Sequence, residues 1–173
     1  MERWQRAKQH QEQQERLRKG KESEKLFCKL SGAKAGTQHD DYNHIDAYLK
    51  DITVDVKGLK RSHTDGYVLV EITNVQGKLG WCSKKGADKV AFQFHGSFVL
   101  VDNRKLHALV VRKMIKHRRA NMPVMRVDNA ARKYGYEGIL YKPVGRKGRR
   151  DVFLYITKDD LMSIKETVYE YEV

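Results

Sequence analysis

The chain has 173 residues, 40% of them hydrophobic, which suits one domain with a sizeable core. Lys and Arg number 35 against 22 Asp and Glu, giving a net charge of +13 and a pI near 9.7. That excess points to a polyanionic partner, nucleic acid first, and no stretch approaches the ~18 apolar residues of a membrane-spanning helix.

No secretory leader is visible, and Cys28 and Cys82 stand alone without zinc or disulfide spacing, so a cytoplasmic protein is expected. Residues 1–19 are almost entirely charged or amide-bearing, with Trp4 and Leu17 the large apolar exceptions. Such a segment has no face to bury. It reads as an arm or helix supported by pairs such as Glu12 with Arg16 and Glu15 with Lys19, able to lie along DNA or to pair with its copy in a homodimer. Composition changes at Gly20. Leu26, Phe27 and Leu30 then recur at helical spacing, with Gly32 at the helix C-terminus. Glu24 lies near the edge of that buried face, and Glu22 is its nearest neighbour of the same type.

A polar loop, 33–43, precedes two runs, Ile45–Leu49 and Ile52–Val56, separated by Lys50-Asp51. This is a hairpin pattern. Asp46 falls in the first strand, Asp55 and Lys57 in or just past the second. The strand period of two sets Asp55 and Lys57 on one face and Ile52, Val54 and Val56 on the other, toward a core. Two acids on adjoining strands form an oxygen-rich corner suited to a hard divalent cation. Past them, Lys60, Arg61 and His63 are placed to meet a phosphate backbone.

Tyr67–Thr73 is a third strand, with Glu71 on the face of Leu69 and Thr73 as a surface or supporting acid. Trp81 is expected to pack under the turn that follows, and Lys84 and Lys85 sit in that loop as DNA contacts. Val90–Phe94 and Ser97–Val101 are strands around a His95-Gly96 turn. Asp102 or Asn103 caps a helix burying Leu106, Leu109, Val110 and Ile115. Its end carries five Lys or Arg residues between Arg112 and Arg119, with Arg118 and Arg119 last. A short helix is expected at Val127–Tyr134. Residues 138–157 read as a strand, a basic Gly-rich loop and another strand, offering Lys142, Arg146, Lys147, Arg149 and Arg150 to DNA. Asp159 or Asp160 opens a last helix whose acidic end is surface.

The runs HID and DVK, with Asp46, Asp55 and Lys57, resemble the PD-(D/E)XK nuclease superfamily. Ile45 stands where the family name puts proline, and the gap between the acids is short. The segment NVQGKLGWCSKKGADKVAFQF is similar to one in phage- and plasmid-type nucleases of that group, with its Gly-Trp turn and Ala-Asp strand start. The resemblance implies an α/β, restriction-endonuclease-like fold, a mixed sheet core flanked by helices over about 20–116. It leaves 117–173 as a basic C-terminal addition and 1–19 as the arm. It also implies an endonuclease of phage or mobile-element type that cleaves DNA with Mg²⁺ or Mn²⁺. Asp46 and Asp55 would bind the metal, helped by the Val56 carbonyl and Glu24, with Lys57 orienting water or stabilising charge. A ribonuclease and a non-catalytic nucleic-acid-binding protein are the alternatives, and a protein-binding module is a third. Two aspartates amid a basic surface serve no purpose in a pure phosphate binder.

Overall fold

The computed structural model describes residues 3–37, 40, 44–60, 63, 66–74, 76–83, 86–127, 138–143 and 150–173. Helix α1 runs unbroken through Arg3–Ser31, so Gly20 divides the chain by composition and burial, not by secondary structure. The pairs Glu15–Lys19 (2.8 Å) and Arg18–Glu22 (2.6 Å) bridge successive turns of its exposed part. Burial begins at Ser23 and Phe27.

Strands β1 (Lys34–Ala35), β2 (Ala47–Leu49), β3 (Ile52–Lys57), β5 (Lys89–Phe94), β6 (Ser97–Asp102) and β10 (Lys165–Glu170) form one sheet, in the order β1-β2-β3-β5-β6-β10. Only the β3–β5 pairing in it is parallel. The β2–β3 hairpin turns as expected at Lys50-Asp51, with Lys50 at φ 56°, the left-handed value of the primed two-residue turns. A second sheet holds β4 (Tyr67–Thr73), β9 (Arg150–Thr157), β8 (Ile139–Pro143) and β7 (Met125–Arg126), in that order. Helix α2 (Asn103–Arg119), capped by the Asp102 side chain on the Lys105 N–H, and the short α3 (Lys158–Ser163) complete the described elements. Among these residues no helix is long and apolar enough to cross a membrane.

The six-stranded sheet is covered on both faces. Val54, Val56, Ala91, Phe98 and Leu100 pack with Phe27 of α1 on one side. Val90, Phe92, Phe94, Val99 and Val101 pack on the other with Leu106, Leu109 and Val110 of α2 and the inner face of the second sheet. This explains the near-continuous apolar runs of β5 and β6.

Several expectations need correction. The third strand, β4, does not join the hairpin's sheet but pairs with β9 in the second one. Residues beyond 116 are therefore not an appended block. β9 pairs with β4, and β10 closes the first sheet against β6. The last helix is only Lys158–Ser163, capped by Thr157 with Asp160 in a capping box, and the chain then becomes β10. Its β-branched and aromatic Thr167, Val168 and Tyr169 favour a strand, and the edge beside β6 was open to receive them. Glu166 of that segment pairs with Lys89 rather than standing as plain surface. Ile115 lies outward on α2, 46% exposed, and Met114 packs against the core instead. Ile52, near the hairpin tip, is also exposed. The short helix expected at Val127–Tyr134 lies, beyond Val127, outside the described residues.

Candidate active site

Asp55 and Lys57 share a face of β3 and meet. Lys57 Nζ is 2.7 Å from Asp55 Oδ2, and Asp55 is 4% exposed. Asp46 stands one residue before β2. Its N–H donates to the Val54 carbonyl (2.9 Å), and its Oδ2 accepts the Val56 N–H at 2.7 Å. The carboxylate thus replaces a strand carbonyl just before β2 begins. The Val54 carbonyl faces β2, so the period of two turns the Val56 carbonyl toward the same edge. Burial pushes the Asp46 carboxyl up to about 6; the Val56 N–H and Lys57 oppose this, while the neighbouring Asp55 charge and a hydrogen bond with Asp55 add to it.

The rest of the corner comes from the turn after β4. The Gly80 N–H donates to the Ile72 carbonyl at 2.7 Å, and a Cβ on Gly80 would lie 2.0 Å from the Glu71 carbonyl oxygen. Only glycine permits that approach. It launches the 3-10 turn Trp81–Ser83, which sets the Trp81 ring centroid 4.7 Å from Lys57 Nζ and 6.2 Å from the Phe92 ring. Trp81 therefore does more than pack under a turn. The sequence signal is the Gly-Trp dipeptide, but its meaning depends on the turn after β4, a strand of the second sheet, packing against β3 and β5 of the first. Asp88, the acid of the Ala-Asp strand start, accepts from the Thr53 N–H (2.9 Å) and hydroxyl (2.8 Å), clamping the starts of the parallel β3 and β5.

The expected site residues divide into groups. Lys60 is at the site. The residue is surface-exposed; desolvation against the corner, with Lys57 adding repulsion, lowers its pKa, while Asp55 and Glu71 pull the other way. Glu71 thus belongs to the electrostatic neighbourhood of the corner. His63 is not a phosphate contact. It is buried, its Nδ1 bonds the Gln93 carbonyl at 2.7 Å, and desolvation drives its pKa to about 4, so it is neutral with the proton on Nδ1. Gln93 in turn accepts the Leu59 N–H (2.9 Å) and donates to the Tyr171 hydroxyl (3.0 Å), which holds the chain leaving Lys57.

Glu24 rises from α1, on the sheet face opposite Asp55, and pairs with Lys21 at 2.9 Å. Glu24 and Asp46 both act electrostatically on the Cys28 thiol, whose pKa burial raises first. Among the described residues no three His, Cys, Asp or Glu side chains converge as a metal cage, so Glu24 is not gathered with Asp46 and Asp55. Glu22 bonds Arg18 in solvent.

Of the basic residues, Arg118 and Arg150 line one cleft of about 560 Å³ with Thr73, Met122 and Val152. Arg150 also lies over the Tyr141 ring at 5.3 Å. Arg119 faces a different groove, with Val111 and Ile115. Arg61, Lys84, Lys85, Arg146, Lys147 and Arg149 lie outside the described residues. Compared with known proteins, the chain matches no protein-family model, no curated protein and no solved structure.

Proposed function

We propose that the chain is a divalent-metal-dependent endonuclease that hydrolyses DNA phosphodiester bonds. The observation that carries this reading is the half-buried contact of Asp46 with Asp55, completed by Lys57 on Asp55. Two carboxylates pressed together in a partly dry corner repel, and one is held toward its protonated form. Holding a cation would relieve that repulsion. The donor set fits Mg²⁺ or Mn²⁺: two carboxylates and the Val56 carbonyl edge leave room for waters and substrate oxygens, which Mg²⁺ retains. A bound cation of this kind polarises the scissile phosphate and acidifies the attacking water.

The chain's own residues do the rest. Asp46 and Asp55 would hold the cation. Lys57 presents an ammonium beside them, where it stabilises negative charge developing on the phosphate. Lys60, close enough to feel the Lys57 charge, adds a second ammonium for the phosphate backbone. The net charge of +13 and the Arg118–Arg150 cleft favour a polyanion over an acidic small molecule.

The test is direct. Supercoiled, linear, single-stranded and branched DNA, and a structured RNA, are incubated with the protein in Mg²⁺ or in EDTA. Cleavage of DNA in Mg²⁺, absent in EDTA and in Asp55→Asn, supports the reading. Cleavage of RNA alone makes it a ribonuclease. Tight binding with no cleavage of any substrate overturns it in favour of a non-catalytic nucleic-acid-binding protein.

A further inference from the structure

We propose that Trp81 is a positioning residue for Lys57, holding the ammonium at the reacting phosphate while Asp55 is engaged with the cation. This rests on the nuclease reading and adds to it a group of no ordinary catalytic type.

The geometry is two-sided. Lys57 Nζ lies 2.7 Å from Asp55 Oδ2 and 4.7 Å from the centroid of the Trp81 ring, well inside the ~6 Å over which a ring face attracts a cation. A lysine stem is flexible, and one carboxylate does not fix its direction. That carboxylate is also the group that must share its charge with a metal, and its hold on the ammonium then weakens. The indole face is neutral. It attracts the ammonium without cancelling its charge, so the charge stays available to phosphate oxygens.

The ring is itself fixed. Phe92, the register partner of Lys57 across the parallel pair, packs against it at 6.2 Å. Gly80 brings the preceding backbone to β4 as no other residue could. The strand pairing that sets Lys57 thus also sets the ring that holds it.

The chain has two tryptophans, so Trp4→Phe leaves Trp81 as the one position open to labelling. In that background Trp is replaced biosynthetically by mono-, di- and trifluorotryptophan, which weaken the ring's attraction for a cation with little change of shape. The expected result is a stepwise fall in kcat, about tenfold over the series, between the sizes of an exposed and a desolvated cation–π contact. KM for DNA should stay within about twofold, because binding rests on many phosphate contacts. A purely packing role would leave kcat flat. The second measurement is independent of activity: by NMR, the Lys57 ε-methylene protons should be shifted upfield by the ring in unsubstituted protein.

A flat kcat series, or no ring-current shift at Lys57, overturns the proposal. If the unsubstituted protein cleaves no nucleic acid, the nuclease reading falls. A persisting ring-current shift then marks a structural contact only, and the positioning role falls with it.

Discussion

Asp46→Asn should make the metal-free protein more stable at neutral pH while abolishing cleavage. Asp46 has a pKa of about 6 in the fold against an ordinary 3.8, so the folded state binds the proton more tightly than the unfolded one. The stability cost is absent below pH 3.8, grows as pH rises toward 6, and is complete above it. At 1.36 kcal/mol per pH unit that gap sets an upper limit of about 3 kcal/mol. Residual solvent access at the strand edge and the shared charge with Asp55 reduce it to about 1–2 kcal/mol. Asparagine removes the charge and keeps an oxygen for the Val56 N–H. For a chain of this size the gain corresponds to a rise in Tm of about 2–8 °C. The assay is thermal unfolding in EDTA from pH 4 to 8, reading the difference between the two proteins so that other groups cancel. Adding Mg²⁺ should raise the Tm of the original protein at pH 7.5 and leave that of Asp46→Asn unmoved. A variant equal to or less stable than the original at pH 7.5 in EDTA would refute the argument, as would a difference independent of pH.

Other consequences can be checked separately. His63, neutral with a pKa near 4 against 6.5, withdraws stability as pH falls from 6.5 toward 4; His63→Gln, which keeps an N–H donor for Gln93, should flatten that part of the stability curve. Gly58→Ala would place a Cβ 2.6 Å from Ser23 Oγ and should cost about 1–3 kcal/mol in chemical denaturation, with Ser23→Gly in the same chain recovering most of it. Replacing Arg118 and Arg150 together by alanine should reduce the slope of log affinity against log salt by about 1.8, if each neutralises one phosphate; an unchanged slope removes their cleft from the DNA surface. Deleting residues 1–19 should move Tm by less than about 2 °C, since that stretch of α1 contributes no buried side chain among those described.

The sequence by itself determined the hairpin, the apolar runs of β5 and β6, and the juxtaposition of Asp55 with Lys57. Alternation over Ile45–Val56 and the polar Lys50-Asp51 pair fix a hairpin, because a one-residue slip would turn every apolar side chain outward. That same periodicity placed Asp55 beside Lys57, and both remain there, 2.7 Å apart. What it could not decide was which strands lie together. β4 reads locally like any strand of the first sheet, and only a partner at β9, far along the chain, drew it into the second. The C-terminal segment carried enough polar residues to pass for a helix, and the open edge of β6 made it a strand. His63 looked like a surface base until the fold enclosed it against Gln93. Trp81 acquired its place over Lys57 only because Gly80 lets the turn press against β4. Periodicity and residue chemistry act over a few residues and are written in the chain. Strand partnership and desolvation depend on groups distant in sequence, so the tertiary structure alone decided them.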